Sequence, residues 1–249
     1  MSTLIQDLRY GLRILRNKPG FAIVTTLVIA LGIGANTVIF SVINSVLLRP
    51  LPYDNPEGLV QLWEHSAQQN KTHALSLPNF VDWSEQNQSF EQIAIYMGWN
   101  LNLTGGEQPE RVQGVLVSPS FFPLMRIQPL VGRAFSPDEA QPGKDTVAIL
   151  SYGLWQRRFG ADPDIIEKTV LLNGERITIV GVLPESFQFP NLDYGRAPSP
   201  AVGQTTDLLL PLAFDPKRLG DRGSHFLQAL ARLKSGVSPE QAQSLVVSG

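Results

Sequence analysis

Three histidines (His65, His73, His225), two close carboxylate pairs (Asp138/Glu139 and Asp162/Asp164) and a Gly143-Lys144 dipeptide are the residues whose types could ligate a metal, share a proton or cradle a phosphate. Histidine ligation of a metal is signalled by short repeated spacings such as H-E-x-x-H, and none occurs among these three. The carboxylate pairs stand beside Pro137 and Pro163 in turn-like sequence, where solvated caps are the ordinary use of an acid. Lys144 is followed by Asp145, so the phosphate-cradling G-x-x-x-x-G-K-[ST] loop is not formed, and no G-x-S-x-G nucleophile turn is present. The chain has no cysteine, which excludes thiol catalysis, thiolate metal sites and disulfides. The expectation is a protein that is not an enzyme. A membrane-bound hydrolase would need a concave site holding perturbed acids.

The elements that would position any site begin with a membrane anchor. Residues 21–48 form an uncharged run of 28 residues, longer than the ~20 that cross a bilayer core. A cleaved secretory signal has a shorter apolar region and ends in small residues, whereas this run ends Ser45-Val46-Leu47-Leu48-Arg49-Pro50, so a retained helix is expected. Ahead of it Arg9, Arg13, Arg16 and Lys18 face Asp7 alone, a net +3 that places the N-terminus in the cytoplasm and the bulk of the chain outside. With −2 overall and +3 in the first twenty residues, the rest carries −5, which argues against a nucleic-acid partner.

Two finer patterns accompany the anchor. Leu4, Leu8, Leu12 and Leu15 recur at helical spacing with Arg9, Arg13 and Arg16 largely off that stripe, Thr3 and Gln6 fit a capping box, and Pro19-Gly20 fits a stop. Residues 4–17 are therefore expected to form a basic amphipathic helix, either lying on anionic lipid or docking a cytoplasmic partner. Within the run, Thr37, Ser41, Asn44 and Ser45 share one helical face with Asn36 nearby, and Ala30 and Gly34 form a small-xxx-small pair that lets helices approach closely. That face either sits above the membrane plane or packs on other helices.

Beyond residue 50, short strands alternate with short helices, the pattern of an α+β domain. Residues 58–64, 111–117, 146–150 and 226–233 have strand character. Residues 77–94 bring Phe80, Trp83, Phe90 and Ile93 near one face of an expected helix, and further helices are expected after Ser118-Pro119, at 152–159 and after Ser238-Pro239. The clearest local signal is Asn173-Gly174 between two β-branched runs, a type I′ hairpin whose turn residues both need positive φ. A Pro- and Gly-rich loop is expected at 184–203.

At this point longer stretches carry a resemblance. Asp7-Leu8-Arg9-Tyr10-Gly11-Leu12-Arg13, Asn17-Lys18-Pro19-Gly20-Phe21, Ala30-Leu31-Gly32-Ile33-Gly34-Ala35-Asn36-Thr37 and Leu47-Leu48-Arg49-Pro50-Leu51-Pro52-Tyr53 resemble the start of an ABC-transporter permease of the MacB/FtsX superfamily, in its duplicated orphan permease branch. The similarity continues through Phe80-Val81-Asp82-Trp83, Leu103-Thr104-Gly105-Gly106-Glu107, Gly132-Arg133-Ala134-Phe135, the segment 150–160, Leu172-Asn173-Gly174-Glu175 and the segment 231–238.

The resemblance implies a cytoplasmic helix over 1–20, a transmembrane helix over 21–48 and a MacB-like periplasmic core domain over 50–249, built of a porter-like α/β part and an inserted mostly β part. It implies a bacterial inner-membrane protein, single-pass in this chain, that couples cytoplasmic ATP hydrolysis to movement of the periplasmic domain. ATP would be bound by a separate ATPase, so no cofactor is expected here. The implied partners are the lipid bilayer, that ATPase, other permease helices or a second permease subunit, and a periplasmic adaptor. The family offers no catalytic residues. Helix packing and coupling fall to Leu4, Leu8, Leu12, Leu15, Arg9, Arg13, Ala30, Gly34, Asn36, Thr37, Ser41 and Asn44.

Two departures from the family pattern stand out. Family members continue past the 231–238 segment with the rest of the domain and further membrane helices, so the chain is expected to be a truncated or split permease with a weakly held C-terminus. Leu124-Met125-Arg126-Ile127 lacks the glycine expected after the leucine. A tethered extracytoplasmic binding module without transport activity stays open as the alternative.

Overall fold

The computed structural model describes residues 13, 17–43, 58–66, 71–106, 108–190, 206–214 and 220–246. The chain divides into two compact units, Met1–Leu51 and Pro52–Gly249.

In the first unit, helix α1 spans Pro19–Ile43. Proline suits a first helical turn because the amide hydrogen it lacks would have no partner there, and the helical backbone breaks at Lys18 just before it. At ~1.5 Å per residue its 25 residues extend about 37 Å, enough to cross a ~30 Å core.

The second unit is built on a nine-stranded sheet. Its strands are β1 (Leu59–Leu62), β4 (Phe90–Thr104), β5 (Glu110–Val117), β6 (Val131–Gly132), β7 (Val147–Leu150), β8 (Thr169–Leu172), β9 (Glu175–Val182), β10 (Leu208–Pro211) and β11 (Gln228–Leu233). A separate ribbon pairs β2 (Glu64–Ser66) with β3 (Lys71–His73). The helices are α2 (Leu77–Glu85), α3 (Phe121–Met125), α4 (Tyr152–Phe159) and α5 (Pro239–Val246).

The fifteen-residue β4 does two jobs. Its first half pairs antiparallel with β11, which in turn pairs with β1. Its second half pairs with β5, and its last two residues pair with β8. Since β5 pairs with β10, β10 with β7, β7 with β9 and β9 with β8, the ladder returns to β4 and closes a six-stranded ring. Alternate residues fill one side of that ring: Leu101 and Leu103, Ala148 and Leu150, Ile177 and Ile179, Leu208 and Leu210, with Leu154 of α4. The intervening Val115, Val117, Ile149, Val180 and Leu209 pack instead with α3 and the ring-stacked Phe121 and Phe189. A third cluster joins β1, β11 and the start of β4 to α2 and to Ala242 of α5.

The hairpin is as the sequence predicts: Asn173 has φ 51° and Gly174 φ 88° between β8 and β9. The expected helix over 77–94 is corrected. It ends at Glu85, and Phe90 and Ile93 belong to β4. Asn87 makes the break, because its side-chain oxygen accepts from the backbone N–H groups of Ser89 and Phe90 at 3.1 and 2.8 Å and its amide donates to the Phe90 carbonyl. Residues 58–64 also split, with β1 ending at Leu62 and β2 opening at Glu64. Of the expected loop, 191–203 lie outside the described residues, while Phe187 and Phe189 pack with Phe121.

Candidate functional site

Five of the twelve predicted packing residues lie on helix α1. Ala30, Gly34, Asn36 and Thr37 all lie within α1 and are exposed, and Ser41 lies in its last turn. Apart from its chain neighbours and the helix's own backbone, no atom of the described residues comes within 4 Å of the position a Gly34 Cβ would take, so this small-residue site is open to a close neighbour. Thr37 Oγ1 donates to the Ile33 carbonyl at 2.8 Å, which satisfies the hydroxyl inside the helix and makes it compatible with lipid. Arg13 is helical and exposed. Leu4, Leu8, Arg9, Leu12, Leu15 and Asn44 lie outside the described residues.

In the second unit two of the candidate acids are held by local hydrogen bonds. Glu139 completes a capping box with Ser136 at the 3-10 turn Pro137–Ala140 and accepts from both Arg133 guanidinium nitrogens at 2.6 and 3.0 Å. Burial pushes its carboxyl up, but the Arg133 and Ser136 hydrogen bonds outweigh that and hold it below the ordinary carboxylate range. Asp162 is lowered first by its Lys168 partner and then by the Asp164 amide. Both are stabilised anions, unlike the raised acid a proton donor requires.

His225 sits with its Nε2 3.1 Å from Glu64 and its Nδ1 2.9 Å from the Gly223 carbonyl, and its ring lies 5.3 Å from that of His73. His65 is exposed. Among the described residues no group of three or more His, Asp or Glu is arranged to hold a metal ion.

One cluster carries no signal in the sequence. Arg157 of α4 donates to Glu110 at the start of β5 and to the buried Asp207 just ahead of β10, both at 2.8 Å. Asp207 also accepts from the Gln113 amide at 2.8 Å, so the guanidinium clamps a helix onto two neighbouring strands. These partners lie 47 and 50 residues from Arg157, beyond any local pattern. Buried Arg232 of β11 is similarly invisible in sequence; its Nε donates to the Leu124 carbonyl at the end of α3 at 2.8 Å.

The departure at α3 and the glycine of β6 both have a backbone explanation. Arg126, at φ 54°, caps α3 in the left-handed region that favours glycine, and its side chain pairs with Glu91 at 3.3 Å. Gly132, at φ 80°, lies against Val180 and Gly181 so closely that a Cβ would strike their backbone.

Comparison with known proteins agrees with this architecture. The periplasmic region of MacB from Actinobacillus actinomycetemcomitans superposes with a TM-score of 0.55 at 13% identity, covering 78% of this chain and 85% of that one. The extracellular domain of the noncanonic ABC-type transporter YknZ from Gram-positive bacteria gives 0.51 at 12% identity, covering 75% and 87%. A domain of a Porphyromonas gingivalis protein described as a permease gives 0.55 at 18% identity, covering 78% and 82%. No curated protein sequence matches the chain. The sequence profile of the MacB-like periplasmic core domain matches residues 22–248, the greater part of the chain. An apolar N-terminal helix ahead of such a domain is the layout of an ABC-transporter permease-type protein of the inner membrane. The chain belongs to the MacB-like periplasmic core domain family.

Proposed function

We propose that this protein is a permease-type subunit that couples ATP hydrolysis by a separate cytoplasmic ATPase to movement of its outer domain. The observation that carries the proposal is α1: ten of its large apolar side chains are at least half exposed, in the same chain as a MacB-family domain. Burying each such side chain is worth roughly 1.5–3 kcal/mol, so leaving ten in water would cost about 15–30 kcal/mol, more than a whole domain's typical stability of ~5–15 kcal/mol. Lipid and neighbouring helices supply the missing cover, and the Ala30/Gly34 pair with the Asn36, Thr37, Ser41 and Asn44 face is where other helices of the transporter pack. Residues 4–17 form the cytoplasmic docking helix, with Leu4, Leu8, Leu12 and Leu15 against the ATPase and Arg9 and Arg13 at its rim. The outer region comprises a porter-like part on β1, β11 and the first half of β4, and a mostly β part made by the closed ring. ATP binds the ATPase and not this chain.

Affinity purification of the tagged full chain from bacterial membranes tests the coupling. An ABC ATPase identified by mass spectrometry and by ATP turnover should accompany it, and replacing Leu8 and Leu12 with Ala should remove that ATPase while α1 stays inserted. An ATPase retained by the double variant, or none captured by the native chain, would overturn the docking role and favour a tethered module without transport.

A further inference from the structure

Beside the ring opens a cavity of about 650 Å³, within the ~300–1,000 Å³ range of small-molecule sites. Three separate stretches line it: Leu103 to Gly106 at the end of β4, Arg158 and Phe159 of α4, and Thr169, Val170, Leu171 and Arg176 of the β8–β9 hairpin. Among the described residues the lining holds two guanidinium groups and two threonine hydroxyls and no carboxylate, in a chain whose overall charge is −2.

The two arginines are presented differently. Arg158 is pinned: its Nη2 donates to the Gln108 carbonyl at 2.9 Å, and its guanidinium lies so close over Gly106 that a Cβ there would collide with it. Gly106 thus leaves room for the approach of a cation, and its backbone has no positive φ. Arg176 is exposed on β9 opposite Leu171 and has no ionic partner among the described residues. Phe159, Val170 and Leu171 supply an apolar wall next to these charges.

We propose that this cavity binds a small soluble amphipathic anion, its carboxylate or phosphate head held by Arg158 and Arg176 and its apolar body laid against Phe159, Val170 and Leu171. Guanidinium forks match both head groups in shape and charge, and a pinned arginine loses little freedom on binding. Neither transport nor ATPase docking is needed for this binding.

Titration calorimetry on the full chain in zwitterionic-lipid nanodiscs tests it, with phenylphosphate and benzoate as probes and benzyl alcohol as the uncharged control. Phenylphosphate should bind saturably, and its affinity should drop at least tenfold in the R158Q/R176Q double variant. Gly106→Ala, which removes no charge, should weaken binding several-fold by displacing Arg158. Replacement of the exposed Arg111, outside the cavity, should change nothing. Arg176→Gln alters only an exposed side chain, so it reads binding in a folded domain even where Arg158→Gln loosens α4. No saturable binding, equal heat from benzyl alcohol, or undiminished affinity in R176Q would overturn the proposal.

Discussion

Leu31 in α1 and Leu209 in β10 are the same side chain in opposite surroundings, the first 79% exposed and the second fully buried. Around Leu209 the cover comes from this chain: Val115, Val117, Phe121 and Ile149 share its cluster. Around Leu31 the cover must come from lipid or from other helices. The outer unit therefore obeys the rules of a water-soluble core, in which volume, register and glycine placement decide stability. The helix obeys the rules of a bilayer, in which charge and length decide insertion. A substitution should accordingly injure one region and spare the other.

The largest separation is expected at Gly132. Gly132→Val forces a branched side chain into positive φ and against the backbone of Val180 and Gly181. The outer domain should lose on the order of 4 kcal/mol or more, read as a shifted denaturant midpoint, with membrane insertion unchanged. The reciprocal change is Leu31→Arg, which should cost ~2.5–3.5 kcal/mol of apparent insertion free energy in a translocation assay and leave the outer domain's melting temperature where it was. If either variant damaged both regions equally, the two would not be separate physical systems.

A smaller effect follows from Glu139. Its folded-state pKa lies below its unfolded value, so its contribution is complete above the ordinary carboxylate range and disappears as pH falls through the lowered folded value. Glu139→Gln should therefore cost about 1 kcal/mol at pH 7, with the difference from the native chain closing below about pH 4 in parallel denaturation series. Insertion of α1 should show no such pH profile. The smallest change is Arg126→Gly: relief of the left-handed backbone and loss of an exposed ion pair oppose each other, so thermal unfolding should register a net gain below about 1 kcal/mol.

The two regions also differed in how much their sequence disclosed. A bilayer selects composition over a long run, so α1 is legible wherever its neighbours sit. Asn173-Gly174 is legible because positive φ is a local demand. β4 was obscured because Phe80, Trp83, Phe90 and Ile93 fall near one helical face by coincidence, while Asn87 redirects the chain between them. β10 was hidden for another reason: Leu208–Pro211 is buried throughout and has no alternation, and its proline argues against a central strand. That proline is tolerated because β7 pairs only with Leu208 and Leu209, so Pro211 lies past its end. The packing residues proposed for α1 rest on spacing alone. Arg157, Glu110 and Asp207 could not, since only the closed ring brings α4, β5 and β10 together. The motifs around Gly106, Arg158 and the hairpin were visible separately, but not their shared cavity.

The central claim is that a basic cytoplasmic start, a spanning α1 and an extracytoplasmic MacB-like domain follow one another in this order. Because the chain has no native cysteine, single cysteines introduced at Arg13 and at the exposed Ser84 of α2 report topology without background. With a membrane-impermeant maleimide on bacterial cells whose outer membrane has been opened, Cys at position 84 should label at once and Cys at position 13 only after the inner membrane is lysed. Labelling of position 13 in intact cells, or protection of position 84 until lysis, would contradict the account.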